Sequence, residues 1–302
     1  MSKSVLTLIT PVGTNTLTDS IITDITAKLT AANAKIITTD WLAENIACDI
    51  IFSKIEPSEA ENIVRDVIGD LPIDSVAQST EYRQKRMLIS DMDSTIITIE
   101  CIDEIADFAG VKPQVAAITE RAMRGEIDFI AALNERVYLL KDLPESTLQE
   151  VYDSRVKFMP GARELVATMR ANGAYTILVS GGFNFFTSRV AHELNFHSDS
   201  SNSLGIKNGK LSGYVIPPVL DKNAKLQTLM QVASAQNIST SQVLAVGDGA
   251  NDLPMVLAAG LGVAYHAKPV VQQSASARIN HCDLTALLYA QGYRKEEIVT
   301  FF

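Results

Sequence analysis

The chain has 302 residues, too long for one ordinary domain, and its 47% hydrophobic and 20% charged content provides for a sizeable buried core and excludes a disordered chain. Thirty-five acidic against 26 basic side chains leave a net charge of −9, with no basic patch beyond Arg83, Lys85 and Arg86, so nucleic acid is not an expected partner. Three scattered cysteines, Cys48, Cys101 and Cys282, form neither a disulfide framework nor a zinc cluster.

The first apolar run, Val5 to Thr10, is too short for a signal peptide, and the longest, Leu253 to Tyr265, is too short for a bilayer span. The expectation is a cytoplasmic protein without a membrane partner. Residues 1–80 carry five basic and eleven acidic side chains, and with them −6 of the net charge. Their pattern predicts a strand over Val5–Thr10, a helix over Leu17–Ala32, and strands over Lys35–Trp41 and Asp49–Ile55. A helix over Pro57–Ile68, with proline at its start, and a strand over Ile73–Gln78 complete a βαββαβ, ferredoxin-like order. Gln78–Arg86 is polar and suits a linker.

From residue 87 onward the chain alternates short apolar strands with helices. Met87–Ser90, Thr176–Ser180 and Val243–Val246 are the strands, and Ala162–Arg170 and Ala224–Ala235 are among the helices. This is the pattern of an α/β, doubly wound parallel sheet, which binds ligands at the carboxyl ends of its strands. A helical insertion at about 103–156, with helices around Gln114–Arg124, Asp128–Leu140 and Glu145–Val151, reads as a separate cap. Asn208-Gly209 within Leu204–Tyr214 marks a hairpin.

Each of the three strands ends in residues able to do chemistry. Asp91-Met92-Asp93-Ser94-Thr95 sets two carboxylates at one strand end, where burying both unpaired is too costly and a cation would resolve the conflict. Oxygen ligands of this kind suit Mg²⁺. Ser180-Gly181-Gly182 offers a hydroxyl and unhindered N–H groups to a phosphate. Gly247-Asp248-Gly249-Ala250-Asn251-Asp252 brings two more carboxylates and an amide, and Lys225 lies on the first turn of a helix. Singly, these are commonplace: an Asx turn, a strand-to-loop turn, a Gly-Asp-Gly turn and a surface lysine. Together, in this order along one α/β chain, they point to a single site.

These four segments resemble the motifs of the haloacid dehalogenase (HAD) superfamily of phosphohydrolases, with no departure at a motif position. Asp91–Ala109, including Glu100, and Arg136–Pro144 are similar, more narrowly, to the phosphoserine phosphatases. The resemblance covers residues 87 to about 290, and implies a phosphatase domain over 87–302. The first 80 residues are similar to ACT-type domains, regulatory or dimerising, so a homodimer is a possible state.

The resemblance implies Mg²⁺-dependent hydrolysis of O-phospho-L-serine through an aspartyl-phosphate, the last step of serine biosynthesis. Asp91 would be the nucleophile, and Asp93 would protonate the leaving oxygen and then deprotonate the attacking water. Asp91, Asp248 and the Asp93 carbonyl would hold the metal. Ser180, Gly181, Lys225 and Asn251 would bind the phosphoryl group, and Asp252 would support Lys225 or the metal waters. Glu100 would take the substrate ammonium and Arg136 its carboxylate, unless the two simply pair with each other on the surface. Met123 and Phe129 match apolar cap positions that close over substrate, and equally suit cap packing. Two other readings share much of this sequence: a phosphotransferase using phosphoserine as donor, and a non-catalytic amino-acid-sensing regulator.

Overall fold

The computed structural model describes residues 3–220 and 222–301, which form two sheets. The first contains β1 (Ser4–Ile9), β2 (Lys35–Ala43), β3 (Ala47–Ser53) and β4 (Asp74–Ser79), antiparallel in the order β2-β3-β1-β4. Helices Asp19–Ala31 and Pro57–Ile68 pack on one face over Leu6, Leu8, Ile50 and Phe52. This is the βαββαβ arrangement expected. Strand β3 begins and ends two residues earlier than the apolar pattern indicates and β2 ends two residues later, which tightens the turn, where Asn45 sits at φ 56°. The cause is Asp49, a buried charge inside β3 that reads from sequence as a strand boundary.

Asp49 is tolerated there because the second face of this sheet is covered as well. Arg83 grips both Asp49 oxygens at 2.6 and 2.7 Å and also donates to Thr7 Oγ1 at 2.9 Å and to the carbonyl oxygens of Tyr289 and Ala290 at 3.2 and 3.0 Å. Every residue of β1 is therefore buried, and in/out alternation is lost. Lys85, only 6% exposed, donates to the Tyr82 and Ser241 carbonyls; burial pulls its ammonium down to about 8. The stretch 80–86, expected as a polar linker with a short basic run, is instead pinned between the two sheets.

The second sheet contains β5 (Met87–Ser90), β6 (Tyr175–Phe183), β7 (Ser198–Lys207), β8 (Lys210–Ile216), β9 (Val243–Gly247), β10 (Leu261–Tyr265) and β11 (Ala277–Ile279). Its order is β11-β10-β9-β5-β6-β7-β8, parallel except for the β7–β8 hairpin through Asn208-Gly209. The chain moves outward from β5 in one direction through β6 and β7, and returns to its other side with β9. That reversal opens a crevice at the carboxyl ends of β9, β5 and β6.

Between β5 and β6 lie five helices: Cys101–Phe108, Lys112–Met123, Phe129–Tyr138 and Ser146–Arg155, which make up the inserted cap, and then Ala162–Ala171, which leads into β6. The first was not separated from the strand-end loop in the sequence, although Cys101, Ile102, Ile105 and Ala106 give it a buried helical stripe. Asp128 caps the third by accepting the Ala131 N–H at 2.8 Å. The hairpin ties this cap to the core, since Glu145 N–H donates to the Gly209 carbonyl and residues 142 and 143 exchange bonds with Leu211, all at 2.9 Å. Among the described residues no helix is long and apolar enough to cross a membrane.

Candidate active site

The three strand ends that carried chemistry in the sequence are neighbours in the sheet. Asp91 continues directly from β5, its N–H held by the Val246 carbonyl of β9 at 3.0 Å. Its Oδ1 accepts from Met92 N–H at 2.8 Å and lies 2.7 Å from Lys225 Nζ. Its Oδ2 accepts no hydrogen bond among the described residues. One oxygen is thus pinned and the other is free.

Lys225 is buried, not the solvated lysine that its type suggests, and it bridges Asp91 and Asp252, 2.5 Å from the latter. Burial alone would lower its pKa, but the charges of Asp252 and Asp91 more than offset this and hold the ammonium above its usual value. Asp252 spends its other oxygen on the Gly249 N–H at 2.9 Å. Gly247 is required by this packing, because a Cβ there would lie 2.4 Å from the Asp252 carboxyl carbon.

Asp93 accepts the Cys101 N–H on Oδ1 at 2.9 Å and the Ser180 hydroxyl on Oδ2 at 3.0 Å. Ser180 in turn accepts the Gly182 N–H at 2.8 Å. The Gly182 N–H, expected with its neighbours to face a phosphate, is spent here on Ser180. A Cβ on Gly182 would meet Asp93 Oδ2 and Ser180 Oγ at 3.0 Å, so any larger residue there would press on both side chains. Gly181 is steadied from behind, its carbonyl accepting from Asn202, whose Oδ1 takes the Leu220 N–H. Asn202 is a buried contributor on β7 that no local sequence signal marks.

Asp248 projects from the end of β9 and accepts from Thr95 Oγ1 at 3.4 Å. Oxygens of Asp91, Asp248 and Asp252 lie within 4.8 Å of one another. This all-oxygen set fits a hard divalent cation. Asp252 is nevertheless already committed on both oxygens, which leaves Asp91 and Asp248 as the carboxylates with capacity for a metal. Asn251 lies beside Gly249, its Oδ1 2.3 Å from where a Gly249 Cβ would stand.

From the cap, Phe129 lies over Gly181, close enough that a methyl group there would touch its ring at 3.4 Å. Ser94, at φ 56°, turns the chain so that its hydroxyl donates to Glu100 at 2.8 Å. Glu100 keeps a solvent-facing side, yet desolvation and then the charge of Asp93 push its carboxyl up to about 7. Arg136 is half-buried and feels Asp103 and Glu100, but among the described residues it forms no ion pair with either. Its Nε donates to the Ala132 carbonyl at 3.3 Å and the rest of its fork has no partner among the described residues. The mutual Glu100–Arg136 surface pair is therefore not formed. Met123 ends its helix, and its side chain lies outside those described.

The crowding of carboxylates predicts a pH signature without metal. Burial first, then Asp252, raise the Asp248 pKa to about 6, and the same two causes hold that of Asp91 well above its ordinary value. A carboxyl whose folded pKa exceeds its unfolded one keeps more protons folded than unfolded, so stability falls as pH rises through that window. In EDTA, the protein should lose about 1–3 kcal/mol from Asp248 alone between pH 4.5 and 7.5. Mg²⁺ should restore more stability at pH 7.5 than at 5.5. Thermal melts in a two-by-two design of pH and metal test this, and equal Mg²⁺ shifts at both pH values would contradict it.

Residues 85–260 match the haloacid dehalogenase-like hydrolase family. The chain belongs to this family. Among relatives of this HAD hydrolase, a phosphoserine phosphatase of Archaeoglobus fulgidus is 43% identical over 77% of this chain and 68% of its own length. A HAD family hydrolase from Salmonella enterica serovar Typhi superposes with a TM-score of 0.84 at 30% identity, over 97% of this chain and 99% of that one. A probable phosphoserine phosphatase from Vibrio cholerae gives 0.77 at 35% identity, over 97% and 88%. Both solved structures span the N-terminal sheet as well as the HAD core.

Proposed function

We propose that this HAD hydrolase is a phosphoserine phosphatase that uses Mg²⁺ to hydrolyse O-phospho-L-serine to L-serine and phosphate. The observation that carries the reading is the half-pinned Asp91: Lys225 and the Met92 N–H hold Oδ1, and Oδ2 accepts no hydrogen bond among the described residues. A buried carboxylate so presented suits in-line attack on phosphorus. Its relatives at 42–47% identity include several phosphoserine phosphatases.

In the first half-reaction Asp91 Oδ2 attacks the phosphorus and the ester P–O bond breaks. Asp93 delivers a proton to the departing seryl oxygen. In the second, Asp93 takes a proton from the water that attacks the aspartyl-phosphate, and phosphate leaves with Asp91 regenerated. Ser180, the Gly181 N–H and Lys225 orient the phosphoryl oxygens where charge gathers, with Asn251 beside them. Asp91, Asp248 and the Asp93 carbonyl would hold Mg²⁺, which neutralises charge between an anionic nucleophile and an anionic phosphate. Asp252 aligns Lys225. The terminal nitrogens of Arg136, without a partner among the described residues, would bind the substrate carboxylate bidentately, and Glu100 its ammonium. Phe129 over Gly181 limits water. The N-terminal sheet serves as a regulatory or dimerising module.

The test is phosphate release from O-phospho-L-serine with Mg²⁺ and with EDTA, p-nitrophenyl phosphate alongside. Turnover should require the metal and prefer phosphoserine. Arg136→Ala removes a charge-assisted pair of about 1.5–3 kcal/mol and should raise KM for phosphoserine about 10–100-fold. Its effect on p-nitrophenyl phosphate should be small. Turnover of the aryl ester alone would keep the Asp91 chemistry and reject the substrate.

A further inference from the structure

The contact between the two sheets is usually the place to look for loose packing, and here it holds a buried carboxylate. Asp74, 3% exposed at the start of β4, accepts three consecutive backbone N–H groups from the other sheet's side of the interface. Asn280 donates to Oδ1 at 2.8 Å, and His281 and Cys282 to Oδ2 at 3.1 and 2.9 Å. These three residues form the turn that follows β11. Three dipoles converging on one anion hold that turn in a single arrangement.

The turn is in turn bonded to the loop after β10. His266 donates its N–H to the Ile279 carbonyl at 2.8 Å, and its Nε2 lies 3.0 Å from the Cys282 carbonyl, which can only accept, so the ring donates there too. His266 sits at φ 44°, a conformation that a non-glycine residue adopts at a cost and that these two bonds help to retain. Two residues on, the Lys268 N–H donates to the Asp248 carbonyl at 3.2 Å. The Lys268 charge also lowers the pKa of Asp248 against the other influences on it. Hydrogen bonds joined by short stretches of backbone thus run from the N-terminal module to the main chain of a proposed metal ligand.

We propose that Asp74 is a positioning residue for Asp248: by holding the 280–282 turn it sets the His266–Lys268 loop, and through it the orientation of the metal-binding carboxylate. The inference rests on the reading of Asp248 as a metal ligand. Partners that orient a ligand from outside the coordination sphere typically change metal affinity by about 10–100-fold, and one acting through a loop should change it by about 3–10-fold.

The test compares full-length wild type with Asp74→Asn, His266→Asn and Arg294→Ala, all metal-free and without substrate. Asp74→Asn turns one acceptor into a donor facing a row of donors. His266→Asn cuts the series in its middle, at an exposed position whose positive φ asparagine accepts, so it serves if Asp74→Asn does not fold. Arg294→Ala breaks a different contact between the sheets, to Asp40 and the Trp41 carbonyl, and touches neither turn nor loop. Binding is read from the Mn²⁺ electron paramagnetic resonance signal and from the Mg²⁺ dependence of the thermal midpoint. Both asparagine variants should bind about 3–10-fold more weakly, with Arg294→Ala unchanged and kcat at saturating Mg²⁺ near wild type. Unchanged affinity in the folded asparagine variants, or an equal loss in Arg294→Ala, would overturn the inference while leaving the metal site intact. Failure of the wild type to bind either cation would remove the ligand reading of Asp248, and this inference with it.

Discussion

Asp91→Asn is expected to reduce phosphate release from O-phospho-L-serine by about 10⁴-fold or more, because removing the nucleophile of a covalent mechanism leaves only binding and orientation to act. The replacement is close to isosteric, and the amide oxygen can still accept from Lys225 and Met92 N–H. The fold should therefore persist. In EDTA it should be no less stable than wild type, since burial and the neighbouring Asp252 make an ionised Asp91 costly in the first place. Lys225 keeps Asp252 as its counter-charge. Three measurements check this: steady-state phosphate release, trapping of phosphoenzyme by rapid acid quench, and the thermal midpoint in EDTA. Wild type should give trapped phosphoenzyme and the variant none. Activity within tenfold of wild type would mean that water, not Asp91, attacks phosphorus.

The second large effect is on stability. Lys225→Met removes the cation between Asp91 and Asp252 and leaves two buried carboxylates facing each other. Losing one partner of a buried ionic group costs about 3–5 kcal/mol. The remaining carboxylates escape part of that cost by taking protons, so their folded pKa values rise further above the unfolded ones. Stability then falls as pH increases, and the deficit against wild type should be larger at pH 7.5 than at 5.5. Urea unfolding at both pH values in EDTA measures it, and a deficit that is the same at each, or below about 1 kcal/mol, argues against an obligatory cation at this position. Phosphate release should fall about 10²–10³-fold as well, since Lys225 is assigned to the charge that develops on the phosphoryl oxygens.

Much of the site was legible before any coordinates because its chemistry is local. Asp91 and Asp93 follow a short apolar strand, and strand ends in a parallel sheet face the ligand crevice. Ser180-Gly181-Gly182 and Asp248 carry the same signal after their own strands. The Pro57–Ile68 helix and the Asn208-Gly209 hairpin are marked by residues whose backbone preferences leave little choice. Contributions that depend on a distant partner were not legible. Asn202 braces Gly181 from β7, and Gly182 lies close against the Asp93 carboxylate from the end of another strand. Lys85 and Arg83 read as a basic linker because nothing in residues 80–86 announces the carbonyls that receive them.

Composition, strand-end motifs and turn residues were enough to assign the architecture and to name the groups proposed to handle protons, phosphate and metal, since backbone preference and side-chain chemistry are properties of short segments. Which of those groups are already occupied is a property of the assembled sheet. The order β9-β5-β6 brings Asp91, Asp93, Ser180 and Asp248 to one crevice, and the helix Lys222–Ala235 delivers Lys225 between Asp91 and Asp252. That arrangement commits Asp252 and, among the described residues, leaves Asp91 Oδ2 and the terminal nitrogens of Arg136 without a partner. The pairing of buried charges is decided by whichever partner lies within about 3–4 Å once water is excluded, and that distance exists only after the strands have found their neighbours.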